Sequence, residues 1–314
     1  MLVSLSAREL DHLRQNLSEY GLVSGYLTPK QSSVKHYLDA AVELHLLVRQ
    51  GAVFNLTTRG QFLIEAVRPN VSSPYPLKLP TKVFFLYTLL ANDYFGTAAI
   101  ARSLLAGAKR LAAVQREHHS QLLRLLAEAG QRSANTRLSR VVQDRIISIR
   151  NWKQPQSYAE HLVSAKLNWL ADLGVLQLAS TATSDISIMP EHRPWLQELS
   201  TSTSPTDAQV IALTLNYSLA TYVDEHSLAQ VETCALLGNA FQRLSTGGGL
   251  EKIRCNDFLL LALCEHPPML ARLIEDGKPL LPNSAVACGS YVYKPHFASR
   301  PTQSFIVRQT ALEA

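Results

Sequence analysis

The chain has 314 residues, 46% of them hydrophobic, with a formal net charge of +5, enough apolar material to build a sizeable core and too much for a disordered chain; two or three domains are expected. Its longest apolar stretch, Val83 to Ala91, stops at Asn92 and Asp93, short of the roughly 18–20 residues a bilayer span needs, so no integral membrane protein is expected. The opening residues lack a basic, then apolar, leader, so the cysteines at 234, 255, 264 and 288 are expected as thiols in a cytoplasmic protein.

Along the chain, Leu5, Leu10, Leu13 and Leu17, with Ser6 as N-cap and Glu9 three residues on, predict a helix stopped by Gly21. Ser32 or Ser33 begins a second, whose Val34, Leu38, Ala41, Val42 and Leu46 share one face and which is expected to run to Gly51. Val53 to Leu56 alternates as a short strand, and Phe62-Leu63-Ile64 closes a first unit over 1–68. Four prolines between Pro69 and Pro80 then predict an extended connector.

Lys82 to about Gly130 has no proline and is rich in Ala and Leu, which predicts two or three helices broken around Asn92-Asp93 and Gly96. A helix over Arg137 to Trp152 is expected to turn Leu138, Val141, Val142, Ile146 and Ile149 inward and Arg137, Arg140 and Asp144 outward, completing a helical region over 81–153. A second unit over 154–199 opens with a helix capped by Ser157, with Leu162, Ala165, Trp169, Leu170 and Leu173 as its apolar stripe and Gly174 as its stop. Strands at Val175 to Leu178 and Ile186 to Met189 follow, and a Ser/Thr-rich linker ends at Pro205. The last unit, 206–314, is read as helical from Asp207 to Leu244, turning at Gly247-Gly248-Gly249, with further helices over Phe258 to Cys264 and from Pro267. It ends in two strands, Ser290 to Lys294 and Ser304 to Arg308.

Charge is concentrated in the middle. Residues 100–153 carry eleven basic side chains against three acids, Glu117, Glu128 and Asp144, a net +8 that leaves −3 for the rest of the chain. Such a segment attracts a phosphate backbone, because each neutralised phosphate releases condensed counterions; a merely solvated helical face has the same composition. Arg102, Lys109 and Arg116 fall at heptad spacing and are expected to share one stripe. His118 and His119 are adjacent, so they point apart on a helix; a pH-sensitive addition to the basic face is expected rather than a metal site.

The run from Ser32 to Gly60, SSVKHYLDAAVELHLLVRQGAVFNLTTRG, resembles the second half of a winged helix-turn-helix domain. The resemblance implies a recognition helix followed by a two-stranded wing, with Ser32, Ser33, Lys35 and His36 facing bases or phosphates and Arg49 and Arg59 on or near the wing. Leu44-His45-Leu46-Leu47 matches Leu173-Gly174-Val175-Leu176 after a shift of 129 positions, so the second unit is similar to a winged helix too. Its helix offers only His161 and Lys166 as cations, beside Glu160, which favours protein packing over groove reading. In the last unit, Lys294, His296, Arg300 and Arg308 would make a basic wing.

Catalytic patterns are missing from the sequence. Cys264-Glu265-His266 is too compact for paired zinc ligands, and Gly247-Gly248-Gly249 lacks the Lys of a phosphate loop. Glu251 and Lys252 lie in a stretch read as helical, without a second carboxylate from a neighbouring strand, and Asp224-Glu225-His226 are consecutive residues that do not converge on one atom. No metal or cofactor is expected.

These readings combine into a mainly α protein with small β-hairpins, tandem winged-helix-like units around a central helical region, acting as a non-catalytic nucleic-acid-binding protein, DNA favoured over RNA. Lys109, Arg110, Arg116, Arg137, Arg140 and Arg145, with Arg102, would supply phosphate contacts. Protein partners or a homo-oligomer are expected beside the nucleic acid. Such a chain fits a regulator, or an accessory subunit loading DNA or RNA onto a larger machine such as a mobile-element or defence complex. The alternatives are a protein-interaction scaffold whose winged units pack on partner subunits, and a hydrolase.

Overall fold

The computed structural model describes residues 38, 41–51, 53–67, 77–132, 136–179, 185–202, 206–222, 233–244, 252–275, 278–279, 291–294 and 305–308. The chain divides into two units, Met1–Pro69 and Asn70–Ala314, and is mainly helical with small antiparallel sheets.

In the first unit a helical stretch ends at residue 43, followed by β1 (Leu47–Gln50) and β2 (Val53–Leu56), paired antiparallel with Leu47 opposite Leu56 and Gln50 opposite Val53. The helix expected to reach Gly51 therefore stops early. His45 takes a left-handed conformation, φ 55°, and Gly51, φ 64°, turns a hairpin instead of ending a helix. Helical periodicity misses this because Leu46 is buried at the corner, where either reading puts it inside. α1 (Thr58–Phe62) comes next and continues as a π-turn over Leu63–Val67. Thr57 caps it by accepting from the Gly60 N–H at 3.1 Å, while its hydroxyl donates to the His45 carbonyl at 2.5 Å. Cap and hairpin are thereby tied to the end of the preceding helix. A Cβ at Gly60 would collide with the Leu46 carbonyl oxygen, so the close approach requires glycine.

The second unit is built around α2 (Leu79–Leu105), which is apolar on nearly every side because α3 (Leu111–Arg132), α6 (Arg193–Thr201), α7 (Asp207–Tyr222) and α9 (Cys255–Glu265) all pack on it. By length and composition α2 resembles a membrane span, but 78% of its most apolar window is buried within the protein's own fold. The break expected at Asn92-Asp93 is a kink inside one long helix, with Asp93 at φ −142°, ψ 61°. Gly107, φ 100°, turns the chain into α3. Consequently Arg102, Lys109 and Arg116 lie on α2, the connecting loop and α3, and the single stripe expected from their heptad spacing does not form.

α3 buries Val114, His118, Leu122, Leu125, Leu126 and Ala129, and α4 (Thr136–Arg150) packs Val142, Ile146 and Ile149 inward. Val141, expected inside, is 57% exposed. α5 (Pro155–Asp172) lies on α3, and its inward face is Val163, Lys166, Leu167 and Leu170, turned from the stripe expected through Leu162, Ala165 and Trp169. The helix begins after Gln154, not at Ser157.

β3 (Leu176–Leu178) and β4 (Ile186–Ile188) form a second antiparallel hairpin, leading through a 3₁₀ turn at Pro190–His192 into α6. Tyr217 fastens it to α7: its hydroxyl donates to the Leu173 carbonyl at 2.6 Å, and its ring stacks on His192 with centroids 5.0 Å apart. Further on are α8 (Thr233–Leu244), β5 (Lys252–Arg254), α10 (Pro267–Leu273), and the short strands β6 (Ile274–Glu275) and β7 (Lys278–Pro279), which pair with each other. β8 (Tyr291–Lys294) and β9 (Phe305–Arg308) pair antiparallel, and β5 adds to the free edge of β9. The stretch at Lys252, read as helical, is thus a strand. The buried Ile253 faces Ile306 across the sheet, and three residues are too few for their alternation to register against the helix that follows.

Candidate nucleic-acid interface

The two hairpins repeat one construction. After each preceding helix the chain makes paired hydrogen bonds: His45 N to Val42 O and Leu46 N to Ala41 O in the first, Gly174 N to Ala171 O and Val175 N to Leu170 O in the second. These four pairs coincide at the 129-residue shift, and His45 and Gly174, φ 55° and 80°, carry the left-handed residue in each. Each hairpin then closes on the same carbonyl, Leu46 O accepting from Thr57 N and Val175 O from Met189 N.

Their surroundings differ in charge. On the first hairpin Arg49 is exposed, donating to the Gly51 carbonyl at 3.0 Å with its guanidinium 5.7 Å from the Phe54 ring, and Arg59 lies on α1 beyond the hairpin. Ser32, Ser33, Lys35 and His36 lie outside the described residues. In the second copy Lys166 is buried on α5 and serves the interior, while β4 is held against the α2–α3 loop by the Ile186 N–H on the Lys109 carbonyl, 2.7 Å. Arg110 reaches Asp185 at 3.9 Å beside it. At the C-terminal sheet Lys294 ends β8, Arg308 is exposed at the end of β9, and Arg300 and His296 lie outside the described residues.

Most of the central cations face outward. On α3, Arg116, Ser120 and Arg124 follow at four-residue steps opposite the buried stripe, and Arg132 ends the helix. Arg140, Arg145 and Arg150 are exposed on α4, and Lys109 and Lys153 on the flanking loops; Arg137 lies in the first turn of α4. Arg102 does not belong to this surface. Its guanidinium makes a two-point bond to Glu128, 3.1 and 2.7 Å, and donates to the Ser200 carbonyl at 2.8 Å. With this the Glu128 carboxyl is held below the usual carboxylate range by the Arg102 hydrogen bonds, and Arg124 adds a bond at 3.1 Å. The contribution of Arg124, Arg132, Arg150 and Lys153 was already present in the charge count; selecting among the arginines needed the helix faces.

Beneath this surface lies a polar cluster that composition did not reveal, to which four successive helices each give one ionisable group: Asp93 from α2, His118 from α3, Arg145 from α4 and Lys166 from α5. Asp93 accepts from Lys166 Nζ, from Arg145 Nη2 at 2.9 Å and from the Gly96 N–H at 3.3 Å. Burial alone would raise its carboxyl; Lys166, Arg145 and the Gly96 N–H outweigh that and lower it. A Cβ at Gly96 would fall on the Asp93 carboxylate and 2.7 Å from Lys166 Nζ, so the ion pair occupies the space a side chain would need. His118, expected on the basic face, is 1% exposed and neither ring nitrogen has a hydrogen-bond partner among the described residues. Burial, followed by the Lys166 charge, pulls its imidazole down to about 4. His119 stands beside Trp152, ring centroids 6.0 Å apart.

Among the described residues no group of three His, Cys, Asp or Glu side chains is placed to hold a metal ion. Cys255 and Cys264 are buried free thiols; burial pushes the Cys255 thiol up to about 12 and Cys264 higher still, so both are packed as apolar groups. No family model, no curated protein and no solved structure matches the chain.

Proposed function

We propose that this chain is a non-catalytic nucleic-acid-binding protein, with duplex DNA as the favoured ligand, in which α3, α4 and their flanking loops lie against the phosphate backbone. The observation that carries this reading is the set of exposed cations Lys109, Arg116, Arg132, Arg140, Arg150 and Lys153 on α3, α4 and their flanking loops. All are exposed and none forms an ion pair among the described residues, while Glu128 is occupied by Arg102. At ~1.5 Å per residue, α3 spreads its outward arginines, from Arg116 to Arg132, along about 24 Å. The first helix and hairpin, similar in order to a winged helix, would add Arg49 at a groove edge. In the cell such a binder would act as a regulator or as a loading subunit of a larger complex.

A protein-interaction scaffold is the second reading, favoured by Val141 and Ile147, 57% and 56% exposed on α4. Fluorescence anisotropy of labelled duplex and single strand across a salt series separates the two. Binding that weakens steeply with salt supports the phosphate surface; a chain that ignores both nucleic acids at low salt leaves the scaffold.

A further inference from the structure

Where α2 kinks at Asp93, the bundle leaves a cleft of about 210 Å³ between α2, α3, α4 and α7. Sites for drug-sized ligands measure roughly 300–1,000 Å³, so this one suits a group no larger than a single heterocycle. Its lining includes the buried aromatic residues Tyr87, Tyr94 and Phe95, and the more exposed Ala91, Val141 and Arg145 form its rim. The rim is accessible, since Ala91 is exposed and Val141 and Arg145 expose about half of their side chains. Resting on the nucleic-acid reading above, we propose that this cleft takes one unpaired nucleotide, its base among the aromatic rings and its phosphate on Arg145.

The charge on the rim is held ready for an anion. Arg145 engages Asp93 through Nη2 alone, which fixes the guanidinium in place and leaves its other donors for a phosphate oxygen. Asp93 in turn is neutralised from below by Lys166, so the cluster as a whole does not repel the anion. Contact with an aromatic lining is tolerant of base identity, because every base has a π-face. The nucleotide would come from a single strand or free from solution; the shared chemistry is a planar heterocycle bearing a phosphate.

The full-length chain is tested with a single-stranded oligonucleotide carrying one 2-aminopurine, with a fully paired duplex, and with dAMP as competitor. Val141→Trp is the variant, because the position is exposed and a larger ring there obstructs the mouth without entering the core. The expected result is a change in 2-aminopurine emission with wild-type protein, at least tenfold weaker single-strand binding by V141W, and duplex affinity within twofold of wild type. Displacement by dAMP assigns the site to a free nucleotide, and resistance to it assigns a strand; either keeps the proposal. Salt-sensitive binding of both nucleic acids that V141W leaves unchanged, or lowers equally for duplex and single strand, overturns the cleft alone. No binding of either nucleic acid by the wild-type chain overturns the broader reading together with it.

Discussion

His45 and Gly174 hold the same left-handed place in two copies of one turn, φ 55° and 80°, each between the last helical hydrogen bonds and the first strand of a hairpin. A left-handed backbone costs an L-residue about 1–2 kcal/mol, a penalty glycine avoids. His45→Gly is therefore expected to leave stability unchanged or raise it by up to about 1 kcal/mol, whereas Gly174→Ala lowers it by a similar amount. Urea unfolding of both variants checks this; equal effects of the same sign would mean that the two turns are not equivalent.

The Asp93–Lys166 pair joins α2 to α5 inside the central bundle, with Lys166 buried. Replacing Asp93 by Ala leaves the buried Lys166 ammonium without its partner and is expected to cost about 3–5 kcal/mol. Lys166→Met costs less, because Arg145 and the Gly96 N–H still serve the carboxylate. Gly96→Ala overpacks the same spot by about 1–3 kcal/mol. Chemical denaturation of the three variants should give the order Asp93→Ala worst and Lys166→Met milder; a neutral Asp93→Ala would contradict the cluster as drawn.

His118 makes the fold acid-sensitive. Its folded-state value near 4 lies below the ordinary 6.5, so the unfolded chain takes up a proton more readily. The stabilisation is complete above pH 6.5 and is lost as pH falls toward 4, on the order of 3 kcal/mol in all. The groups facing the ring are Lys166 on α5, Asp93 and Gly96 on α2 and His119 beside it; Asp93, also lowered, loses its contribution at still lower pH. His118→Leu removes two unpartnered polar atoms, so the melting temperature at pH 7 should hold or rise, and its decline between pH 7 and pH 5 should flatten. An unchanged pH profile would show that His118 is not the titrating group.

Much of the helical layout was legible because α3 and α4 announce themselves by apolar spacing and the second hairpin follows a helix stopped at Gly174, whereas β1 of the first hairpin was absorbed into the helix expected to run to Gly51. The 129-residue repeat was legible too, in four residues, and the hydrogen bonds extend it. What the sequence hid follows from three physical causes. Helical periodicity counts Lys166, His118 and Asp93 as outward-facing, yet burial tolerates such groups when an opposite charge meets them or when they stay neutral. Heptad spacing linked Arg102 to Arg116 across a turn made by Gly107. Short strands such as Lys252–Arg254 draw their stability from a partner fifty residues away, which local pattern does not register.

Arg102 and Arg116 should respond in opposite ways. Arg102→Ala removes the two-point bond from Glu128 and the donor from Ser200, so it is expected to destabilise by about 1–3 kcal/mol and leave the salt dependence of DNA binding unchanged. Arg116→Ala, on the exposed ridge, should leave stability within about 0.5 kcal/mol and lower the salt slope by about 1. Thermal melts paired with binding at two salt concentrations distinguish them; a reduced slope for Arg102→Ala would return it to the surface.

The most direct measurement is duplex DNA affinity across a salt series for the wild-type chain and for Arg116→Gln/Arg132→Gln/Arg140→Gln together. Wild type is expected to bind in a salt-sensitive way and the triple variant to show a log–log slope shallower by about 2–3 with an unchanged melting temperature. Duplex binding that is absent at low salt, or that the triple variant retains with the same slope, would contradict this.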